Sequence, residues 1–339
     1  MYDAKELKDA ITAVIPATGT GGLDEDYRNI SFNKKYIIAS NDRICIAQPF
    51  ITNFEITVPA KEFQQLIPSS GEVSIKEQDG SVHIKFGKTN SKLSMPSEAA
   101  AANLFESLNT ENVKWRKLPS DLLEGLDLCR TSASREMSEP YLTCIYVKDN
   151  YIVASDEVRI SEYTGSNKFT NVSWLMPAKS VDELVKLEIS KFAATKAWFY
   201  FKTRDDKIFC ARRVVDQYPD VSKYFKFKPL EEVKLPTDKM IEAVNYVSTM
   251  AKVGEDSYKR IDLSFKGNAV RLRGSNELGS ASKVVTIKKK VKKEFSMRVN
   301  PEFFSQLLVL SDTLKVGKDR VPVETENFRH LMALFIEEG

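Results

Sequence analysis

Histidine is nearly missing from this chain of 339 residues: His83 and His330 are the only two. They fall inside alternating strand patterns far apart in sequence, with no partner motif beside either. A catalytic base or a zinc site therefore lacks its commonest material. Cysteine is scarce too. Cys45, Cys129, Cys144 and Cys210 form no CxxC pair and have no neighbouring histidine. They read as reduced, buried thiols of a cytosolic protein rather than as metal ligands or disulfides. No apolar run approaches the ~20 residues of a membrane span. The polar start Met1–Lys8 has no signal-peptide character. Charge of one sign is also lacking, since the net charge is only +3. That excludes a surface coated all over in nucleic acid, but it allows one basic face on an otherwise acidic body.

The signatures of catalysis are equally thin. There is no GxSxG elbow and no HExxH pair. Gly87-Lys88-Thr89 looks like the end of a phosphate loop, but the glycine needed five residues earlier is Val82, inside a strand pattern. Gly19-Thr20-Gly21-Gly22 runs into Asp24-Glu25-Asp26, which would repel phosphate. That acidic triplet reads as a solvated loop rather than a cation site. No catalytic residue, metal or cofactor is expected. A nuclease or nucleotide-binding enzyme would need a site that the sequence does not offer.

What the chain does have is repetition. Tyr36-Ile37-Ile38-Ala39-Ser40-Asn41 returns as Tyr151-Ile152-Val153-Ala154-Ser155-Asp156. Val58-Pro59-Ala60-Lys61 returns as Met176-Pro177-Ala178-Lys179 and, faintly, as Val299-Asn300-Pro301-Glu302. Such periodicity implies tandem copies of one unit. Each copy reads as a helix, strands, a short helix opened by proline, and more strands. Helices are expected over 4–15, 59–67, 121–130, 177–187, 238–250 and 301–310, with Ser120 and Thr237 as caps. Asp149-Asn150 and Gly267-Asn268 read as tight hairpin turns. Asp156, aligned with Asn41 and Asn276, reads as a turn hydrogen-bonder. The run Lys288–Lys293 reads as the solvated tip of a hairpin between 284–287 and 295–299, with phosphate contact as an alternative. The fold class is α+β, with three tandem domains of two helices on antiparallel sheet, over 1–112, 113–230 and 231–339.

The polar faces of the six expected helices offer Lys5, Lys8, Lys61, Arg130, Lys179, Lys186, Lys239 and Lys252. Three domains whose sheets pair edge to edge would form an arc, and two such chains would close a ring without free edges. Twelve helices ~10 Å wide would then line a hole roughly 28 Å clear, enough for a duplex with a layer of water. Lysines around it would touch phosphates without reading sequence.

At full length the repeats resemble the bacterial replicative sliding clamp, the beta subunit of DNA polymerase III. Val58-Pro59-Ala60-Lys61-Glu62-Phe63 looks like its first strand–helix junction. Ala154-Ser155-Asp156-Glu157-Val158-Arg159-Ile160 looks like its Ala-Thr-Asp-Gly-His-Arg-Leu segment. Asp216-Gln217-Tyr218-Pro219-Asp220-Val221 looks like its Gly-Arg-Phe-Pro-Asp-Tyr segment. The resemblance implies a cytoplasmic, nucleoid-associated processivity factor without catalysis, a ring-shaped homodimer with double-stranded DNA, a polymerase and a clamp loader as partners. It also implies a partner-peptide pocket walled by Leu142, Ser155, Val158, Arg159, Ile160, Pro219, Lys223, Tyr224, Met332, Leu334 and Ile336. By the same likeness a dimer seam would bring Leu93 and Met95 to the region after Met250. Two departures stand out: Glu157-Val158 replaces Gly-His, and the chain ends Phe335-Ile336-Glu337-Glu338-Gly339 where the family has Met-Pro-x-Arg-Leu. These divergences fit a phage or plasmid member with its own polymerase. An alternative function is an interaction protein that binds clamp-type peptides without encircling DNA.

Overall fold

The computed structural model describes residues 1–19, 25–41, 43–136, 139–254 and 258–336, the side chains of 25 and 26 excepted. Thr20–Gly22, Asp24 and the side chains of Glu25 and Asp26 lie outside what is described. Among the described residues there are seven α-helices: α1 Ala4–Val14, α2 Ala60–Leu66, α3 Ala100–Ser107, α4 Leu122–Arg130, α5 Ala178–Leu184, α6 Thr237–Ser248 and α7 Pro301–Leu310. The architecture is α+β and dominated by antiparallel sheet. The chain divides into two compact units, residues 1–127 with 174–216, and residues 128–173 with 217–339.

In the first unit an eight-stranded sheet runs in the order Glu55–Pro59, Asn29–Asn33, Tyr36–Ser40, Ile44–Pro49, Ile208–Arg212, Trp198–Thr203, Ile189–Ala194 and Arg116–Lys117. Its continuity rests on the pairing of Ile44–Ala47 with Ile208–Ala211, with Cys45 opposite Cys210. Tyr36–Ser40 is buried on both faces, which explains its continuous rather than alternating apolar run. Ile38 joins the cluster of Ala101 and Phe105 from α3, while α1 lies against the strands 36–40 and 44–49. All four cysteines are buried and none forms a disulfide. Burial pushes the Cys45 thiol up to about 12. A four-stranded sheet, Tyr2–Asp3, Glu72–Gln78, Ser81–Phe86 and Thr89–Ser94, completes the unit. Gly87, at φ 53°, belongs to the turn that pairs Phe86 with Thr89, so Gly87-Lys88 is a hairpin tip and not a phosphate loop.

In the second unit one sheet runs through Cys144–Lys148, Tyr151–Ser155, Arg159–Thr164, Phe328–Ala333 and Arg320–Glu324. Here Arg159–Tyr163 pairs with Phe328–Met332. A second sheet contains Lys252–Val253, Lys259–Lys266, Ala269–Asn276 and Gly279–Thr286, with Phe295–Val299 paired to Lys259–Lys266. The residues 288–293 are thus not a hairpin tip. They cross from Gly279–Thr286, paired on one side of Ala269–Asn276, to Phe295–Val299 on the far side of Lys259–Lys266. Met240, Val244 and Val247 of α6 and Phe304, Leu307 and Leu308 of α7 pack with Ile261, Leu263, Val270 and Leu272 of this sheet. Gly274 permits the close approach, because a Cβ there would stand 2.1 Å from the Val247 carbonyl oxygen.

The repeated phrases have a common local cause. Asp156 Oδ1 accepts from the N–H groups of Val158 and Arg159 at 3.2 and 2.6 Å. Asn41 Oδ1 accepts from Arg43 and Ile44, both at 2.9 Å. Asn276 Oδ1 accepts from Leu278 at 2.9 Å. Each is a side-chain turn leaving a strand. The strand-to-helix step also recurs, with a shift in detail. Pro59 and Pro177 sit at the N-cap of α2 and α5, and Pro301 is the first residue of α7 behind an Asn300 cap. Pro236, not Thr237, occupies the cap position of α6.

Candidate functional site

The second unit carries a groove of about 420 Å³. Its floor is apolar because strand residues of one phase face it. Ile160 and Leu331 are directly paired across two strands, and both are buried with Val153, Val221 and Phe225. Leu142, from the 3₁₀ turn Pro140–Thr143, and Val158 and Ala333 extend the floor. One wall is the segment Pro219–Tyr224, which ends in the 3₁₀ turn Ser222–Phe225. Behind it Tyr218 stacks on Tyr146, with ring centroids 5.4 Å apart, which fixes where the segment lies.

Charge is confined to the rim. Arg320 donates through Nε and Nη2 to Asp319 at 2.8 and 2.6 Å, and through Nη1 to the Tyr224 carbonyl at 2.8 Å. The Arg320 hydrogen bond and charge hold the Asp319 carboxyl below its usual range. The Lys223 ammonium lies 5.1 Å from the Tyr224 ring centroid. Tyr224 itself is 42% exposed, a large aromatic face presented at the mouth. An apolar floor with an aromatic and charged edge suits a peptide with apolar anchors. It offers no nucleophile–base pair.

The structure brings together Leu142, Ser155, Val158, Ile160, Pro219, Lys223 and Tyr224 from the sequence-predicted wall. It places the other four elsewhere. Arg159 and Met332 are paired with each other one step along, so they point to the opposite face and are buried. A one-residue change of phase moves a strand residue from one face to the other. Leu331 and Ala333 hold the positions expected of Met332 and Leu334. Leu334 and Ile336 line a different groove on the sheet that contains Asp262 and Arg273. Sequence reasoning passed over Tyr141, Glu157, Asp220, Val221, Asp319, Arg320, Leu331 and Ala333. Alternation along 328–333 was the signal available for Leu331 and Ala333.

Glu157 lines this groove with φ 72°, in the left-handed region. A side chain there costs about 1–2 kcal/mol, partly offset in comparison with glycine by glycine's larger backbone entropy loss. Glu157→Gly is expected to stabilise the chain by roughly 0.5–1 kcal/mol. Urea denaturation checks this; a lower midpoint for the variant would remove strain as the account.

Of the basic residues expected on helices, Lys5, Lys61, Lys179 and Lys239 are exposed on α1, α2, α5 and α6. Arg130 ends α4, half-buried. Lys8 donates to the Ile67 carbonyl at 3.2 Å. Lys186 lies beyond α5, which ends at Leu184, and pairs with Glu183 at 2.9 Å. Lys252 is in a strand, because α6 ends at Ser248. Leu93 and Met95 lie on and just after the edge strand Thr89–Ser94, half-buried like Met250.

Among the described residues the one serine–histidine contact is closed to substrate. Ser161 Oγ lies 2.8 Å from His330 Nδ1, and 2.8 Å from Ser132 Oγ, and all three residues are buried. Among the described residues no cluster of His, Cys, Asp and Glu could hold a metal ion. No helix among them is long and apolar enough to cross a membrane.

The fold is that of the bacterial DNA polymerase III beta subunit, the sliding clamp. The Helicobacter pylori beta clamp bound to a DNA ligase peptide matches with a TM-score of 0.80 and 17% identity, over 98% of this chain and 99% of that one. The Bacillus subtilis DNA polymerase sliding clamp matches at 0.78 and 16%, over 99% and 98%. The beta subunit from DNA polymerase of Streptococcus pyogenes matches at 0.77 and 19%, over 99% of both chains. No protein-family model and no curated protein matches the sequence. At these identities the likeness establishes the fold.

Proposed function

We propose that this chain is a DNA sliding clamp and processivity factor without catalytic activity. Its three domains, 1–112, 113–230 and 231–339, form half of a six-domain ring, and a second copy closes it. The ring encircles duplex DNA, is opened by a clamp loader and tethers a replicative polymerase in the cytoplasm. The observation that carries this reading is a clamp likeness spanning 98% of the chain, so that no part is left for another fold.

Two further features support it. The exposed cations Lys5, Lys61, Lys179 and Lys239 all sit on helices, with Arg130 at a helix end. Such contacts are weak and salt-sensitive, which enclosure makes sufficient. Each unit also keeps a sheet with a free edge among the described strands, Thr89–Ser94 in one and Gly279–Thr286 in the other. Strand addition there, with Leu93, Met95 and Met250 as an apolar cluster, would join two copies. The groove of the second unit would take peptides from the polymerase and other partners, as the ligase peptide is taken by the Helicobacter protein.

Enclosure makes a topological prediction. Loaded onto a nicked circle, the protein should co-elute with DNA in gel filtration and be lost when the circle is cut to a linear form. Equal loss from both forms would sink the reading and leave a peptide-binding protein that does not encircle DNA.

A further inference from the structure

The second unit has another groove, of about 700 Å³, on the sheet that packs α6. It lies on the face away from that helix. Along Ala269–Asn276 the residues Val270 and Leu272 are buried, while Arg271 and Arg273 alternate with them and are exposed. Neither arginine has an ion partner or a side-chain hydrogen bond among the described residues. Lys318 and Arg298 complete the charged lining, and Asp262 is the one carboxylate among the described residues that line it. Asp262 is held by Arg298 at 2.7 Å. Four cations thus face one carboxylate. A solvated sheet face ordinarily mixes both signs, so this one is strongly biased.

We propose that this groove binds single-stranded nucleic acid through its phosphates. Arg271 and Arg273 are two residues apart on one strand, so their side chains leave the same face about 6.8 Å apart. An extended strand can offer successive phosphates to such a pair. The floor between the cations is hydroxyl rather than apolar, with Ser280 and Ser282 from the neighbouring strand. Guanidinium groups and serine hydroxyls are the usual ligands of phosphate oxygens. The groove's apolar lining is confined to Met297 and the segment Leu334–Ile336, whereas a docked extended peptide would want apolar pockets for alternate side chains along its length. The groove is concave, so one backbone can lie in it. Phe335 lines one end, a ring type on which bases stack.

The first unit repeats the bias independently. Lys76, His83 and Lys92 are in register across three strands of its four-stranded sheet. Lys76 and Lys92 thus share the face opposite Ile75 and Ile84, with His83 between them.

The site is tested on the full chain with fluorescein-labelled oligo-dT, by anisotropy across a salt series. Arg271→Ser with Arg273→Ser should weaken binding at least ten-fold at low salt. The slope of log K against log salt should fall by about 1.4, or 0.7 for each phosphate that an arginine no longer neutralises. Arg271→Lys with Arg273→Lys should keep most of that slope, which separates charge from misfolding. Retention on closed circular duplex should be unchanged in all three proteins, so the site stands or falls apart from the ring. Unchanged affinity in the serine variant, or no binding by the wild type at low salt, overturns the proposal. Tighter binding of a glutamate-rich peptide than of oligo-dT, abolished in the serine variant, also overturns it, in favour of an acidic protein segment.

Discussion

Arg159→Met should destabilise the chain by about 3–5 kcal/mol, the range for removing one partner of a buried ion pair. Arg159 is 6% exposed and Asp156 7%. Its Nε and Nη2 donate to Asp156 Oδ2 at 3.0 and 2.7 Å, and its Nη1 donates to Gln306 Oε1 on α7 at 2.8 Å. The guanidinium also lies over the Phe303 ring, 3.6 Å from the centroid. One side chain therefore ties the strand Arg159–Thr164 to α7. Methionine fills most of the volume but leaves the Asp156 charge buried, and the half-buried Gln306 oxygen, without that donor. Urea denaturation followed by circular dichroism reads the loss.

The double variant Asp156→Asn with Arg159→Met separates packing from charge. Asparagine keeps the side-chain oxygen that accepts the Val158 and Arg159 N–H groups, as Asn41 and Asn276 do in the other repeats. It removes the orphaned carboxylate. The double variant should be clearly more stable than Arg159→Met alone. If the two variants unfold at the same urea concentration, the cost lies in poorer packing and the ion pair contributes little.

This residue also marks where the sequence was legible and where it was not. The phrase around Ser155–Ile160 announced a repeated turn because the turn is made by local hydrogen bonds within four residues. Helix boundaries set by proline and an apolar stripe were visible for the same reason: α7 begins at Pro301 and ends at Leu310, as its pattern predicts. The phase of the last strand was not visible. Alternation along 328–333 groups Leu331 with Ala333 but does not say which phase faces the groove: residues 330–332 are all buried, and each phase carries a polar side chain, Arg329 in one and His330 in the other. Helix α3 was missed because Ala99 at its start makes no capping hydrogen bond and its alanines give little periodicity. What holds it is tertiary, the burial of Ala101 and Phe105 with Ile38 and Ile208. The crossing of 288–293 depends on which strand accepts Phe295–Val299, and no local signal encodes that choice.

Between about pH 6.5 and pH 3, His330 should make the folded chain progressively less stable as acid is added. Its pKa is pushed from 6.5 down to about 3, first by burial and then by the nearby charge of Arg159. In the unfolded chain it takes up a proton at its ordinary pKa, whereas in the folded chain it stays neutral. The unfolded state therefore binds more protons throughout that interval, and stability rises with pH across it. The contribution is complete above pH 6.5 and is withdrawn as pH falls through the folded value. At pH 5 the loss from this residue alone is about 2 kcal/mol, at 1.36 kcal/mol for each pKa unit crossed. His330→Leu removes the titrating group and leaves the Ser161 hydroxyl bonded to Ser132. The variant should be less stable than the wild type at pH 7.5, because Ser161 loses its 2.8 Å partner. Its stability should fall less between pH 7.5 and pH 5 than that of the wild type, by about 2 kcal/mol. Denaturant midpoints of both proteins at the two pH values decide the matter. Parallel losses in the two proteins would mean that His330 takes up its proton in the folded chain as readily as in the unfolded one, so that the buried position does not hold it neutral.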